Sequence, residues 1–146
     1  MKRKRIENDN LRFWCCMAAV LCFLISLCFD SFCTIKECTS SLMAFGVGWF
    51  SMFGGSGICW LANPLLIVGF ILTFKGWRYS ILFSFLGMIL CISFLHFDTV
   101  LQNEAGPEQR IVTYGLGYWL WTSSAILLFL CNLLLKKPNV IPNDQF

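Results

Sequence analysis

The sequence predicts an all-α, polytopic membrane protein with four transmembrane helices plus a short interfacial or re-entrant helix on the outer side. Composition is the first reason: 58% of the 146 residues are hydrophobic and 13% are charged, whereas a soluble domain carries roughly 25% charged residues. The second reason is a set of four long apolar stretches, and the third is the placement of basic residues around them. So few charges cannot cover a water-facing surface, which excludes an ordinary soluble domain.

Four apolar stretches without a charged residue lie at 13–29, 57–74, 79–97 and 116–135. A helix needs about 17–25 such residues to cross a bilayer, and every backbone polar group within lipid must find its partner inside the spanning structure. The stretches therefore predict four helical spans in one transmembrane domain, 13–135. A basic tail, 1–12, precedes that domain, and a second tail, 136–146, follows it.

The basic residues orient the predicted spans. Of the 11 Lys and Arg residues, all but Lys36 and Arg110 lie in the tail 1–12, in the turn between the second and third spans, or just after the fourth. Because cytoplasmic loops carry an excess of Lys and Arg, both termini are predicted to be cytoplasmic. Aromatic rings that favour the membrane interface cluster at the outer boundary, where we expect a contact surface: Trp49, Trp60, Tyr114, Tyr118, Trp119 and Trp121.

The segments outside the predicted spans contain two unusual features on the outer side. Residues 42–53 are apolar but too few to cross, so an interfacial or re-entrant helix is expected there. Asn63 and Pro64, early in the second span, have two interpretations. The helix continues with a proline kink, or it restarts with Asn63 as N-cap and Pro64 at the first helical position. A restarted helix would line a cavity.

Small residues recur at helical spacing in the first and third spans. Lipid removes the hydrophobic drive between helices, so close packing through small side chains replaces it. Two packing stripes are predicted, and it stays open whether their partners lie in this chain or in another subunit. Their members are Cys15, Ala19, Cys22 and Ser26 in the first span, and Ser80, Ser84, Gly87 and Cys91 in the third.

Two of the nine cysteines, Cys33 and Cys38, lie outside the predicted spans. An oxidising compartment would favour a disulfide between them, and both a structural bridge and free thiols stay open. A thiol–quinone oxidoreductase that uses this pair is a further alternative. Such an enzyme usually needs a C-x-x-C pair and a second cysteine pair, and neither occurs here.

Three titratable residues, Asp30, His96 and Asp98, fall near the outer ends of the first and third spans. They are candidates for an outer polar cluster because His titrates near neutral pH, although helix ends that reach water explain them equally well. No charge lies at the middle of a span, which argues against an ion-coupled transporter. Metal-ligand spacing, a phosphate loop and a nucleophile motif are missing, so no catalytic residue, metal or cofactor is predicted.

Two motifs carry a resemblance to a known group of proteins. The order G-W-F and W-L-A-N-P, then an acidic outer loop, then Y-G-L-G-Y-W-L-W resembles an uncharacterised family of small four-span bacterial inner-membrane proteins. The resemblance covers roughly residues 48–121. It implies a multi-pass protein of the bacterial inner membrane and implies nothing about chemistry.

These observations predict a non-enzymatic integral membrane protein that acts as a homo-oligomer, or as a small membrane subunit or sensor of an envelope complex. Its expected partners are the lipid bilayer and either further copies of itself or another membrane or cytoplasmic protein. Direct nucleic-acid binding is not expected, because no cytoplasmic domain is present to provide it. The first alternative is an oligomeric pore or channel, lined by the Asn63–Pro64 break and the small-residue stripes.

Overall fold

The computed structural model describes residues 2–50, 55–100 and 109–134. These residues contain five α-helices: α1 (Lys2–Ser26), α2 (Ser41–Val47), α3 (Ala62–Phe74), α4 (Ser80–Ser93) and α5 (Leu116–Leu134). Two 3-10 segments, Gly55–Leu61 and Phe94–His96, directly precede α3 and follow α4. Four strands complete the described elements: β1 (Asp30–Thr34), β2 (Cys38–Ser40), β3 (Thr99–Val100) and β4 (Gln109–Tyr114).

The four long helices pack side by side as a bundle. Helix α1 packs mainly against α5, α5 also packs against α4, and α4 packs against α3, while a smaller contact between α1 and α3 closes the circle. The core contains small and apolar side chains from all four helices: Cys16, Ala19, Phe23, Ala62, Leu66, Phe70, Cys91, Ala125 and Leu128. A Cβ atom at Gly87 would lie 3.1 Å from Leu66 Cδ2, so this glycine allows α3 and α4 to approach closely.

One end of the bundle, here called the sheet end, carries a four-stranded antiparallel sheet with the strand order β2-β1-β4-β3. The central pair, β1 and β4, joins the segment after α1 to the segment before α5, with Phe32 opposite Tyr114. The chain is mostly helical, as predicted, but the all-α expectation is wrong. Backbone groups between the helices need hydrogen-bond partners, and the two segments provide them for each other.

The helix boundaries differ from the predicted spans mainly at the ends. Helix α1 begins at Lys2, inside the predicted tail, and ends at Ser26, because β1 follows soon after. Two helical stretches, Gly55–Phe74 and Leu116–Leu134, are long and apolar enough to cross a membrane. Two others, Asn10–Ser26 and Ser80–His96, are apolar but shorter.

The predicted interfacial segment 42–53 corresponds in part to α2, which covers Ser41–Val47. Ser40 caps this helix, since its hydroxyl accepts a hydrogen bond from the Met43 N–H at 3.3 Å. The helix is shorter than expected because its C-cap is Gly48. Residues 51–53 of the prediction lie outside the described residues.

The helical stretch Gly55–Phe74 runs through Asn63 and Pro64 without a gap, and Asn63 is not an N-cap. The chain changes from 3-10 to α-helical geometry between Leu61 and Ala62, and Leu61 occupies the N-cap position. Pro64 therefore falls in the first turn of α3, where a backbone N–H has no intrahelical acceptor and its loss costs little. Asn63 is one residue inside the helix, and its side chain is free to bond elsewhere.

Candidate functional site

A cavity of about 540 Å³, here called the sheet-end cavity, lies between the sheet and the adjoining end of the bundle. Strand residues and α2 contribute to one side of its lining, and the beginnings of α3 and α5 contribute to the other. Aromatic rings dominate the lining: Phe32, Phe45, Trp60, Phe94, Tyr118 and Trp121. A concave, largely apolar cavity of this size is typical of small-molecule sites.

Trp60 lines the cavity next to α2 and stacks on Trp49, which lies outside the lining. The rings of Trp49 and Trp60 stack with centroids 5.6 Å apart and planes 18° apart. The Trp60 Nε1–H donates a hydrogen bond to the carbonyl oxygen of Phe45 at 2.9 Å, which ties the 3-10 segment to α2. A Cβ atom at Gly48 would collide with the Trp60 ring, so a glycine is required there.

Asn63 supplies a polar group to the cavity wall. Its side chain is only 7% exposed, and its Oδ1 accepts a hydrogen bond from the Trp121 Nε1–H at 2.9 Å. An indole nitrogen only donates, so this bond fixes the amide with its oxygen towards Trp121. The Asn63 Nδ2 donor then has no acceptor among the described residues. Asn63 thus lines the cavity from the first turn of α3.

The beginning of α5 packs closely against the beginning of α2. A Cβ atom at Gly117 would collide with the Ser41 hydroxyl and approach the carbonyl oxygen of Asp30 at 2.8 Å. Ser41 is buried, and its hydroxyl has no hydrogen-bond partner among the described residues. Both Ser41 and Gly117 line the cavity, so any larger residue at Gly117 would displace the cavity floor.

A disulfide joins Cys33 and Cys38, whose Cα atoms are 3.9 Å apart on β1 and β2. The Thr34 N–H donates to the Glu37 carbonyl oxygen at 2.9 Å, which closes the hairpin turn beside the bridge. The next residue pair in the register, Phe32 and Thr39, lines the cavity. The disulfide therefore fixes the two strands at the point where they cover the cavity.

A ring cluster connects the sheet to α4 and α5. The Tyr118 hydroxyl donates to the Cys91 carbonyl oxygen at 2.9 Å, and the Tyr114 and Tyr118 centroids are 4.8 Å apart. Burial raises the pKa of Tyr114, and the carboxylate of Asp98 raises it further. Tyr114 consequently stays a neutral hydrogen-bonding ring at physiological pH.

The predicted outer polar cluster is not assembled. Asp30 begins β1, His96 ends a 3-10 segment, and Asp98 precedes β3, where its carbonyl oxygen accepts the Ile111 N–H at 2.9 Å. All three side chains are exposed, and no hydrogen bond or ion pair joins them. Within the described residues, no group of three or more His, Cys, Asp or Glu side chains is placed to hold a metal ion.

The predicted aromatic contact surface is also divided. Trp49 and Trp119 are exposed, at 55% and 50%, whereas Tyr118 is 2% exposed and belongs to the interior. Trp60, Tyr114 and Trp121 are half-buried. The six residues therefore do not form one surface, because three of the rings turn towards the cavity and the bundle.

The two small-residue stripes have different outcomes. All four members of the third-span stripe, from Ser80 to Cys91, are buried on α4. On α1, Ala19 and Ser26 are buried, but Cys15 and Cys22 are only half-buried. The buried face of α1 is rotated towards α5 and includes Cys16 and the larger Phe23.

A polar network at the opposite end of the bundle was not predicted. The amide of Asn132 accepts from the Ser80 hydroxyl at 2.9 Å and donates to the Thr73 hydroxyl at 2.9 Å and the Ser84 hydroxyl at 3.4 Å. The network joins α3, α4 and α5. The signal was available in the sequence, since each of these three spans carries a polar residue near its end away from the sheet.

Comparison with known proteins adds no relative. The chain matches no family model, no curated protein and no solved structure. The resemblance to a bacterial four-span family therefore stays a prediction.

Proposed function

We propose that the chain is a non-enzymatic four-span membrane protein of the bacterial inner membrane, with both termini cytoplasmic. It would act as a sensor or small subunit of an envelope complex, or as a homo-oligomer. In this arrangement the sheet and its cavity face outwards. The supporting observation is the large apolar surface of the four-helix bundle, together with the small and polar side chains that lie between its helices.

Small and polar side chains lie inside the bundle beside its apolar core, and large apolar side chains surround it. Ser84 and Ser124 are fully buried, and Asn132 is 3% exposed. Exposed apolar residues occur on every long helix, including Leu21, Ile71, Phe85 and Leu130. In water, contiguous apolar surface of this extent is rare outside interfaces; in lipid it is the expected exterior, with small and polar residues between helices.

The lengths and charges of the helices support the same arrangement. At 1.5 Å per residue, Asn10–Ser26 and Ser80–His96 are each about 26 Å long, close to the roughly 30 Å of a hydrocarbon core. Lys75 and Arg78 lie in the turn between α3 and α4, at the end away from the sheet. By the positive-inside rule that end is cytoplasmic, which puts the sheet outside.

The pore alternative has less support. The small-residue stripe of α4 packs against helices of its own chain, so a pore between subunits would need another lining. The thiol–quinone alternative has a cysteine pair in Cys33 and Cys38, already joined in a hairpin. Cys59 lines the cavity but is 2% exposed.

Labelling of Cys33 and Cys38 tests the orientation. Intact cells are treated with a membrane-impermeant reductant and then with an impermeant maleimide, and labelling is compared with that of the Cys33→Ser/Cys38→Ser variant. Because the exposed free Cys28 can react in both proteins, the readout is the additional labelling that the reductant produces; we expect this increase without opening the cells and its absence from the variant. Labelling that appears only after the membrane is opened would place the sheet in the cytoplasm and refute the proposed orientation.

Purification tests the assembly. The native mass of the gently extracted protein should exceed that of one chain, with either further copies or a stoichiometric partner present. A protein that is released from membranes by alkaline carbonate, or that is recovered only as a free monomer, would contradict the proposal.

A further inference from the structure

We propose that the sheet-end cavity binds one uncharged amphiphile from the membrane, whose oxygen atom accepts a hydrogen bond from Asn63. The ligand class follows from the charge of the lining, the polar donors of Asn63 and Ser41 on the wall and the chemistry of the opening. The inference rests on the proposed membrane location for the source of the ligand, but its test does not depend on orientation.

The charge of the lining excludes an anionic ligand. Among the described residues that line the cavity, Glu37 is the one ionised side chain, and no Lys or Arg is present. A phosphate or carboxylate placed in a largely apolar cavity without a cation would lose its hydration and gain no counter-charge. A phospholipid head group or a fatty-acid anion therefore does not fit, whereas an uncharged head group does.

The Asn63 amide selects the polar end of the ligand. The Trp121 Nε1–H bonds to the amide oxygen of Asn63, so the Nδ2 donor is the part of this amide that is left for a ligand. A carbonyl, ester, ether or hydroxyl oxygen of a ligand would accept a hydrogen bond from this donor, and the buried Ser41 hydroxyl, which has no partner among the described residues, offers a second donor on the lining. The rings of Phe45, Phe94 and Tyr118 provide an apolar environment for the remainder of the molecule.

The opening of the cavity indicates where the ligand comes from. Three residues of the lining are also exposed large apolar side chains: Met43 at 63%, Val47 at 51% and Phe50 at 68%. They belong to α2 and the turn after it, so the cavity opens past an apolar surface. A molecule dissolved in lipid reaches such an opening without crossing a polar rim. Two sources share the required chemistry, a monoacylglycerol and an isoprenoid quinone.

Binding is measured on the full chain in phosphatidylcholine nanodiscs by native mass spectrometry. The probes are monooleoylglycerol and decylubiquinone, with oleate and lysophosphatidylglycerol as charged counterparts. We expect one of the two uncharged probes to saturate at one molecule per chain, and the tighter of the two identifies the source. Absence of saturable binding for both, or equally tight binding of the charged counterparts, would overturn the proposal.

Variants locate the site. Ala44→Trp fills the cavity from α2 and should abolish binding, while Asn63→Leu should weaken it by about two- to tenfold, the range for one hydrogen bond. Thr73→Val, which removes a buried hydroxyl at the other end of the bundle, is the matched control and should leave binding unchanged. Unchanged binding by a folded Ala44→Trp protein would overturn the site, and cysteine labelling of the same variants reports orientation separately.

Discussion

Replacing Asn132 by Leu should destabilise the bundle by about 2 kcal/mol, because this amide bonds to two neighbouring helices at once. Its hydrogen bonds to Thr73 and Ser80 are each 2.9 Å long, and that to Ser84 is 3.4 Å. Interhelical hydrogen bonds in membrane proteins contribute about 0.6 kcal/mol each on average, so the loss of three gives roughly the stated sum. Leucine has a similar size, so little of the effect comes from an empty volume.

The assay uses the thiols of the chain itself. Cys16, Cys91 and Cys131 are buried free cysteines, so a maleimide dye added during an SDS titration reports unfolding as they become reactive. The midpoint should fall for Asn132→Leu and stay nearly unchanged for Ser93→Ala, whose hydroxyl bonds only to the Ile89 carbonyl of its own helix.

A double-mutant cycle separates the network from general packing. Asn132→Leu and Thr73→Val should be less destabilising together than the sum of the two single changes, by about 0.6 kcal/mol, because both remove the same bond. Strict additivity, or an Asn132→Leu protein as stable as the original, would refute the reasoning that this network holds the three helices together.

Three further predictions follow from the packing, the hairpin and the ring cluster. Gly87→Leu should cost about 1–3 kcal/mol through overpacking, measured by the same titration, while Gly46→Leu, where nothing lies within 4 Å, should not. Cys33→Ser with Cys38→Ser should lower stability by about 2 kcal/mol and weaken probe binding, and equal binding would show that the bridge does not hold the cavity cover. The pKa of Tyr114 is raised in the folded state. Its contribution to stability is therefore present below its ordinary pKa of about 10 and is lost as pH rises through the folded value. A phenolate absorbance titration in which every tyrosine ionises at its ordinary pKa would contradict this.

The sequence contains enough information to locate the helices but less to locate their faces. A run of apolar residues without charge fixes a helical stretch locally, so α3, α4 and α5 begin and end within a few residues of the predicted spans. Which face of a helix is buried depends on where its neighbours lie. The predicted stripe on α4 contains the buried residues of that helix. The buried face of α1, in contrast, lies towards α5 and includes Cys16 and Phe23.

The sheet and the cavity required the tertiary structure. Strands β1 and β4 are short and far apart in sequence, and each is stable only because the other supplies its hydrogen bonds. The role of Asn63 depends in the same way on Trp121. The sequence by itself determined composition, helix positions and charge asymmetry, because these depend on each segment alone. Only the tertiary structure decided the sheet, the cavity and the polar groups on its wall, because each of these arises where distant segments meet.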